Sequence, residues 1–291
     1  MLRLLNIEFH KLKHNRASRV LTIIYFALLT SIALIAAIKF DIGPIEFHLA
    51  DQGIFNFPYI WHFNTFMASI FKFFLLLVIV SMMANEYSNK TLKQNLIDGL
   101  SKKEFILSKF YTVIVFAAIS TLFVFVVSMI LGLIYSDYNE ASIIFSDLEY
   151  LLAFFVKLVG FFSFGLFMGI LVKRSAFAVG AILVWFFVES IFKGFLFWNF
   201  NKDAFKSDSV SSDSLSPIGV DDIMQFFPLE SMANLIKEPF TSLNAVQSVA
   251  KQVGESLSRD VDVHWYQLLI VCVWTFIFIY LSYRLLQKRD L

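Results

Sequence analysis

Cysteine is nearly missing from this chain: Cys272 is the one thiol among 291 residues. A single thiol closes no intramolecular disulfide and sets no CxxC or zinc spacing, so redox and zinc-thiolate chemistry are excluded. Charge is scarce as well, at 16% of residues with a net balance of only +1. A soluble domain carries about 25% charged residues, so this chain is too poor in charge for one. The near-zero balance also offers nothing to nucleic acid. No GxxxxGK followed by Ser or Thr occurs, so the chain lacks a phosphate loop for ATP hydrolysis; HExxH and GxSxG are missing too.

What the chain does have is apolar length. Hydrophobic residues make up 58% of it, and they gather in six runs: Val20 to Phe40, Trp61 to Ala84, Tyr111 to Tyr135, Tyr150 to Val172, Ala176 to Phe197 and Trp265 to Tyr283. At about 1.5 Å rise per residue, each reaches across a hydrocarbon layer about 30 Å thick. In lipid the backbone must satisfy its own hydrogen bonds, which a helix does alone and an open strand does not. The expected fold is all-α, a polytopic membrane protein forming one domain over 1–291. It has six transmembrane helices, an N-terminal interfacial helix over 1–17, an inner loop at 85–110 and an outer helical and loop segment at 198–264 before the sixth helix. The first apolar run is too long for a cleaved signal peptide, and no clear small-x-small site in it is followed by a soluble domain, so it reads as a retained helix.

Lysines and arginines orient the bundle. Arg3, Lys11, Lys13, Arg16 and Arg19 precede the first run, and Lys90, Lys93, Lys102, Lys103 and Lys109 lie between the second and third. Lys173 and Arg174 follow the fourth, and Arg284, Lys288 and Arg289 close the chain. The loops Asp41 to Ile60 and Ser136 to Glu149 contain neither residue type. By the positive-inside rule both termini are cytoplasmic, and the acidic segment Trp198 to His264 faces outward. Within that segment Lys202 to Gly219 reads as a Ser/Asp-rich loop, while Ile223 to Lys237 and Thr241 to Leu257 read as short helices on or over the bundle.

At the N-terminus Leu2, Leu5, Phe9 and Leu12 share one helical face, as in a helix resting apolar side down in the headgroup layer. His10 and His14 have i, i+4 spacing but no third metal ligand nearby. Inside the runs stand Lys72, Lys157, Glu189 and Lys193. Buried charges pair, snorkel or line a polar route. Glu189 and Lys193 are i, i+4 and suited to pair with each other, which leaves Lys72 and Lys157 as surplus cations. The functional reading is a polar patch for an anionic or amphipathic cargo; the structural one is pairing and snorkelling.

The segment from Asn85 to Phe105 is the richest polar stretch. It reads as a short helix from about Asn89 to Ile97, ended by Gly99, with Ser101-x-x-Glu104 as a capping box opening the next helix. Leu100 and Phe105 occupy the positions of a hydrophobic staple. Such an elbow transmits force between two transmembrane helices; it is equally an ordinary well-capped turn.

On Glu86, Thr91, Leu92, Leu96, Ser101-Lys102 and Lys109, in that order, the chain resembles the permease subunits of ABC-2-type ATP-binding-cassette transporters. The motif covers about Glu86 to Lys109, and the layout covers nearly the whole chain. Many members of that family carry Gly where Lys90 stands, and Pro where Gly99 or Leu100 stands. The resemblance implies a membrane-spanning transport subunit, an exporter, with no catalytic residue of its own. It implies a separate cytosolic ATPase that binds ATP and Mg, a coupling helix presenting Glu86, Thr91, Leu92, Leu96 and Leu100 to it, and a second permease, identical or different. The implied location is the bacterial inner (plasma) membrane. Gly165 and Gly169, with Ala176 and Gly180, permit close helix contact within or between subunits. The alternatives are an ion-coupled secondary transporter, which calls for internal repeats and broken midspan helices that the sequence lacks, a membrane-embedded enzyme, and a non-transporting membrane anchor of a complex.

Overall fold

A computed structural model describes residues 2–37, 39–42, 45–48, 53–138, 140–201, 220–240 and 261–289. The expected loop Lys202 to Gly219 and mixed segment Thr241 to Leu257 lie outside the described residues. The architecture is helical. In chain order the elements are α1 (Leu2–His14), α2 (Arg16–Ala37), β1 (Lys39–Ile42), β2 (Ile45–His48), α3 (Tyr59–Ser88), α4 (Thr91–Ile97) and α5 (Lys102–Tyr135). There follow α6 (Ala141–Ile144), α7 (Glu149–Val172), α8 (Ser175–Asn201), α9 (Val220–Met224), α10 (Pro228–Asn234) and α11 (Trp265–Lys288).

Five stretches among the described residues are long and apolar enough to cross a membrane: α3, α5, α6 through α7, α8 and α11. Helix α2, 22 residues long, covers the first apolar run. It ends at Ala37, sooner than the expected Phe40, because Lys39–Ile42 pairs antiparallel with Ile45–His48 in a short ribbon. No proline falls inside a long helix; Pro58 precedes α3 and Pro228 opens α10. Helix α5 starts at Lys102, nine residues before its uncharged run, because the capping box fixes its first turn ahead of the apolar sequence.

The long helices alternate in direction, so their ends gather at two poles. At one pole Lys102 Nζ donates to the Arg289 carbonyl at 3.1 Å, and the Arg289 guanidinium reaches the carbonyls of Ile170 and Leu171 at the end of α7. At the other pole Trp61 Nε1 donates to the Ile144 carbonyl at 2.9 Å, and His62 Nε2 meets the Lys237 carbonyl at 2.9 Å. Helix α7 is the axis, packed on by α3, α5, α8 and α11. Its contact with α3 depends on the small residues of the GxxxG pattern. A Cβ on Gly165 would come within 2.3 Å of Leu76 Cδ1, and one on Gly169 within 3.0 Å of Met83 Cβ. Those glycines therefore serve packing within the subunit, while Gly180 on α8 faces open space.

The outer segment does not simply lie over the bundle. Helix α10 is wedged between α7, α8 and α11. Met232 rests against Gly160, about 17 Å along α7 from its first residue. Trp274, about 14 Å into α11, donates to the Phe226 carbonyl at 3.0 Å. Met232, Leu235 and Ile236 are buried. Within this part of the chain α10 reaches roughly half the length of α7, its apolar side chains packed into the core, one of the two arrangements that its mixed sequence allows.

Candidate functional site

The elbow between α3 and α5 is fixed at every backbone joint. Lys90 adopts a left-handed conformation (φ 56°) between α3 and α4. Gly99 (φ 97°) ends α4: its N–H donates to the Leu96 carbonyl, and the Leu100 N–H to the Asn95 carbonyl at 3.0 Å, the paired bonds of a Schellman motif. Two residues on, Ser101 Oγ accepts from the Glu104 N–H at 3.2 Å, and the Ser101 N–H donates to Glu104 Oε2 at 3.0 Å, completing the capping box. Left-handed backbone costs an L-residue about 1–2 kcal/mol, so Lys90→Gly should be tolerated with an unchanged or slightly raised melting temperature. Lys90→Val, β-branched, should lower it clearly. A scanning fluorimetry series on detergent-purified variants checks this; equal melting of the Gly and Val variants would contradict it.

Beneath the elbow lies a buried charge cluster. Glu86, 3% exposed at the end of α3, accepts from Lys109 Nζ at 2.6 Å, Lys11 Nζ at 2.9 Å and Thr91 Oγ1 at 2.5 Å. Lys109, fully buried on α5, also reaches Glu8 Oε2 at 2.5 Å, and Lys11 lies 3.8 Å from Glu8. Two carboxylates and two ammoniums thus alternate across α1, α3 and α5, and Thr91, the first residue of α4, bonds the other oxygen of Glu86, Oε2. Each charge has an opposite neighbour, which is what permits burial.

The residues that the resemblance assigns to a coupling surface lie largely inward in this chain. Glu86 is committed to the cluster, and Leu92 is 2% exposed and part of the core. Leu96 and Leu100 pack partly against that core as well. Thr91 is half-buried and bonded to Glu86. These residues position the elbow and present little surface. The outward face of α4 carries Lys93, Gln94 and Ile97, with Ile97 74% exposed. Glu8, Lys11 and Lys109 were not read as one unit. The available signal was Glu8 itself, a carboxylate on the same helical face as Leu5 and Leu12.

The four charges within the long helices also find specific places. Glu189 does not depend on Lys193: its carboxylate accepts from the backbone N–H groups of Leu229 (3.2 Å) and Glu230 (3.0 Å), and from Trp185 Nε1 at 2.5 Å. Lys193 reaches Glu230 at 2.5 Å. Lys157, 3% exposed, donates to the Ala233 carbonyl at 3.3 Å. A carboxylate therefore holds the first turn of α10 and an ammonium its last, each matched to the backbone groups that a helix end leaves free. Lys72 of α3 lies over the ring of Phe161, 4.8 Å from its centre; Phe161 stands one helical turn from Lys157 on α7. Among the described residues neither Lys72 nor Lys157 has a carboxylate partner. The structure gathers Lys157, Glu189 and Lys193 around α10, with Lys72 beside them.

The family described as Protein of unknown function (DUF2705) has a model that matches residues 23–208, well over half of the chain. The chain belongs to this family. No curated protein matches it. The residues matched to DUF2705 take in the whole elbow, Lys109 and all four intrahelical charges. They leave out Glu8 and Lys11, and α10. In this DUF2705 member the two charge assemblies are thus each completed by a segment lying beyond the matched residues.

Proposed function

We propose that this chain is the membrane-spanning permease subunit of an ATP-driven exporter of the ABC-2 type, coupled to a separate ATP-binding-cassette ATPase through α4. The observation that carries this reading is the elbow: a seven-residue helix fixed at both ends by backbone motifs, anchored beneath by a buried charge cluster, and open on its outer face. Such an element moves as one piece with α3 and α5. Force applied at Lys93, Gln94 and Ile97 passes into both helices without being absorbed by a flexible loop.

In this reading α2 is the first of six spans, α1 lies at the cytoplasmic headgroup layer, and both termini are cytoplasmic in a bacterial inner membrane. A second permease, identical or paired, completes the pathway. The partner ATPase binds and hydrolyses ATP. This chain receives the movement at α4, tilts α3 and α5, and opens the region around α10, where Lys72 and Lys157 offer positive charge to an anionic or amphipathic cargo.

The test uses the full chain co-expressed with ATP-binding-cassette ATPases of the same genome, beginning with any encoded beside it. Co-purification is expected from membranes. Ile97→Asp should reduce it at least tenfold with an unchanged melting temperature, because Ile97 supports no core. In a Cys272→Ser background, Lys93→Cys should be labelled only from the cytoplasmic side. Labelling from outside, or solute movement down an ion gradient by the purified chain alone, would refute the reading.

A further inference from the structure

A second recess lies away from the elbow surface and from α10, where α1, α2 and α5 meet. It encloses about 270 Å³. Its walls are Phe9 and Leu12 of α1, Phe26 of α2, and Phe116 and Ile119 of α5. Ring contacts set the shape: Phe9 and Phe116 are 5.6 Å apart, and Phe26 stands edge-on to Phe123 at 5.1 Å. At its mouth are two exposed cations, Lys13 and Arg19. Among the described residues neither joins an ion pair, in contrast to nearby Lys11, which is engaged by Glu86 and Glu8.

A buried polar atom marks the boundary between the apolar wall and the charged mouth. Ser18 is 2% exposed, and its Oγ has no hydrogen-bond partner in the described structure. It lines both this groove and the adjoining polar cavity of about 320 Å³ above Glu86. Ser18 also stands in the first turn of the 22-residue α2, where the helix dipole favours negative charge; its own N–H is taken by Asn15 Oδ1 at 3.1 Å, which leaves its Oγ as the free polar atom there. Phe26 is seven residues beyond Arg19, about 10 Å deeper along α2.

We infer that this groove binds an anionic phospholipid, its headgroup between Lys13 and Arg19 near Ser18 and one acyl chain along Phe9, Phe26 and Phe116. A soluble anion would leave the phenyl wall unused, and a neutral lipid would leave both cations unmatched; only an amphiphile with a negative head satisfies both. Basic pockets between helices at the headgroup level suit such lipids. The inference rests on the chain being embedded in a bilayer and is independent of transport.

The test is native mass spectrometry of the detergent-purified full chain titrated with phosphatidylglycerol and with phosphatidylcholine of the same acyl chains. The wild type should retain phosphatidylglycerol about tenfold more tightly. Lys13→Gln with Arg19→Gln should abolish that preference without shifting the melting temperature, since neither side chain is buried. Ile119→Trp, which fills the groove, should weaken retention of both lipids. Equal retention of the two lipids by the wild type, an unchanged preference in the double variant, or undiminished binding in Ile119→Trp would overturn the site. Displacement of phosphatidylglycerol by millimolar inorganic phosphate would make it a phosphate site and overturn the lipid assignment. A chain that stays monodisperse without detergent would refute the membrane reading itself, a result separable from all of these.

Discussion

Lys109→Met should be the most damaging single substitution at the elbow, lowering stability by about 3–5 kcal/mol, the usual cost of stripping one partner from a buried ion pair. Lys109 is fully buried and, among the described residues, alone touches both Glu8 and Glu86 at 2.5–2.6 Å. Without it, the Glu8 carboxylate keeps only Lys11 at 3.8 Å, and both must share that one ammonium. Removing Glu8 at the same time changes the outcome. In Glu8→Gln with Lys109→Met, Lys11 and Glu86 remain as a balanced pair at 2.9 Å, still supported by Thr91. The double variant should therefore regain at least half of the lost stability, a coupling of about 1.5 kcal/mol or more. Thermal unfolding followed by tryptophan fluorescence, arranged as a double-mutant cycle, measures this directly. A Lys109→Met protein that melts like the wild type, or strictly additive single effects, would mean that the cluster does not hold α1 to α5. The same cycle bears on function. On the proposed transporter reading, releasing α1 from the elbow removes the firm base under α4, and ATP-dependent transport should fall in Lys109→Met and return in part in the double variant.

The helices were legible because an apolar run long enough to cross lipid has one backbone solution, and the joints of the elbow because caps are local. Ser101, Glu104 and Gly99 lie within six residues of one another, and each answers to a backbone group at fixed offset. The left-handed turn at Lys90 was less visible, since lysine gives no signal for positive φ. Which side of α4 turns inward is hard to read for a related reason. A seven-residue helix shows too few turns to reveal which leucines face inward, and Leu92 and Leu96 face the core. The two charge assemblies were illegible because their members are distant in sequence: Glu8 and Lys109 are 101 residues apart, and Glu189 and Glu230 are 41 apart. The i, i+4 spacing of Glu189 and Lys193 suggested a local pair, but the unpaired N–H groups of α10 compete for Glu189 and win. A carboxylate gains two backbone donors there without having to order a flexible lysine.

That competition leads to the second large effect. Glu189→Gln should release α10 from the bundle while leaving the long helices in place. Glutamine keeps the size of the side chain, but it has lost the negative charge and exchanged one accepting oxygen for a donor amide. Of the contacts to Leu229 N–H, Glu230 N–H and Trp185 Nε1, at most two can survive, and those without charge assistance. Losing about 2 kcal/mol in this way raises the open population of α10 about thirtyfold. Met232→Cys in a Cys272→Ser background reports it: the thiol is buried against Gly160 when α10 is seated and reachable when it leaves. Labelling by a small membrane-permeant maleimide should quicken by that factor in Glu189→Gln. Lys157→Met is the informative contrast. Its single 3.3 Å bond to Ala233 is long, and its ammonium lies near Lys72 with no described carboxylate, so removing it should leave the labelling rate within about twofold. Equal acceleration by both substitutions would make α10 a helix clamped symmetrically at its ends. Acceleration by neither would make it a wedge held by Met232, Leu235 and Ile236 alone. Asymmetry in favour of Glu189 would mean that α10 is held chiefly at its first turn, where the carboxylate takes the backbone donors, and that Lys157 adds little to its seating.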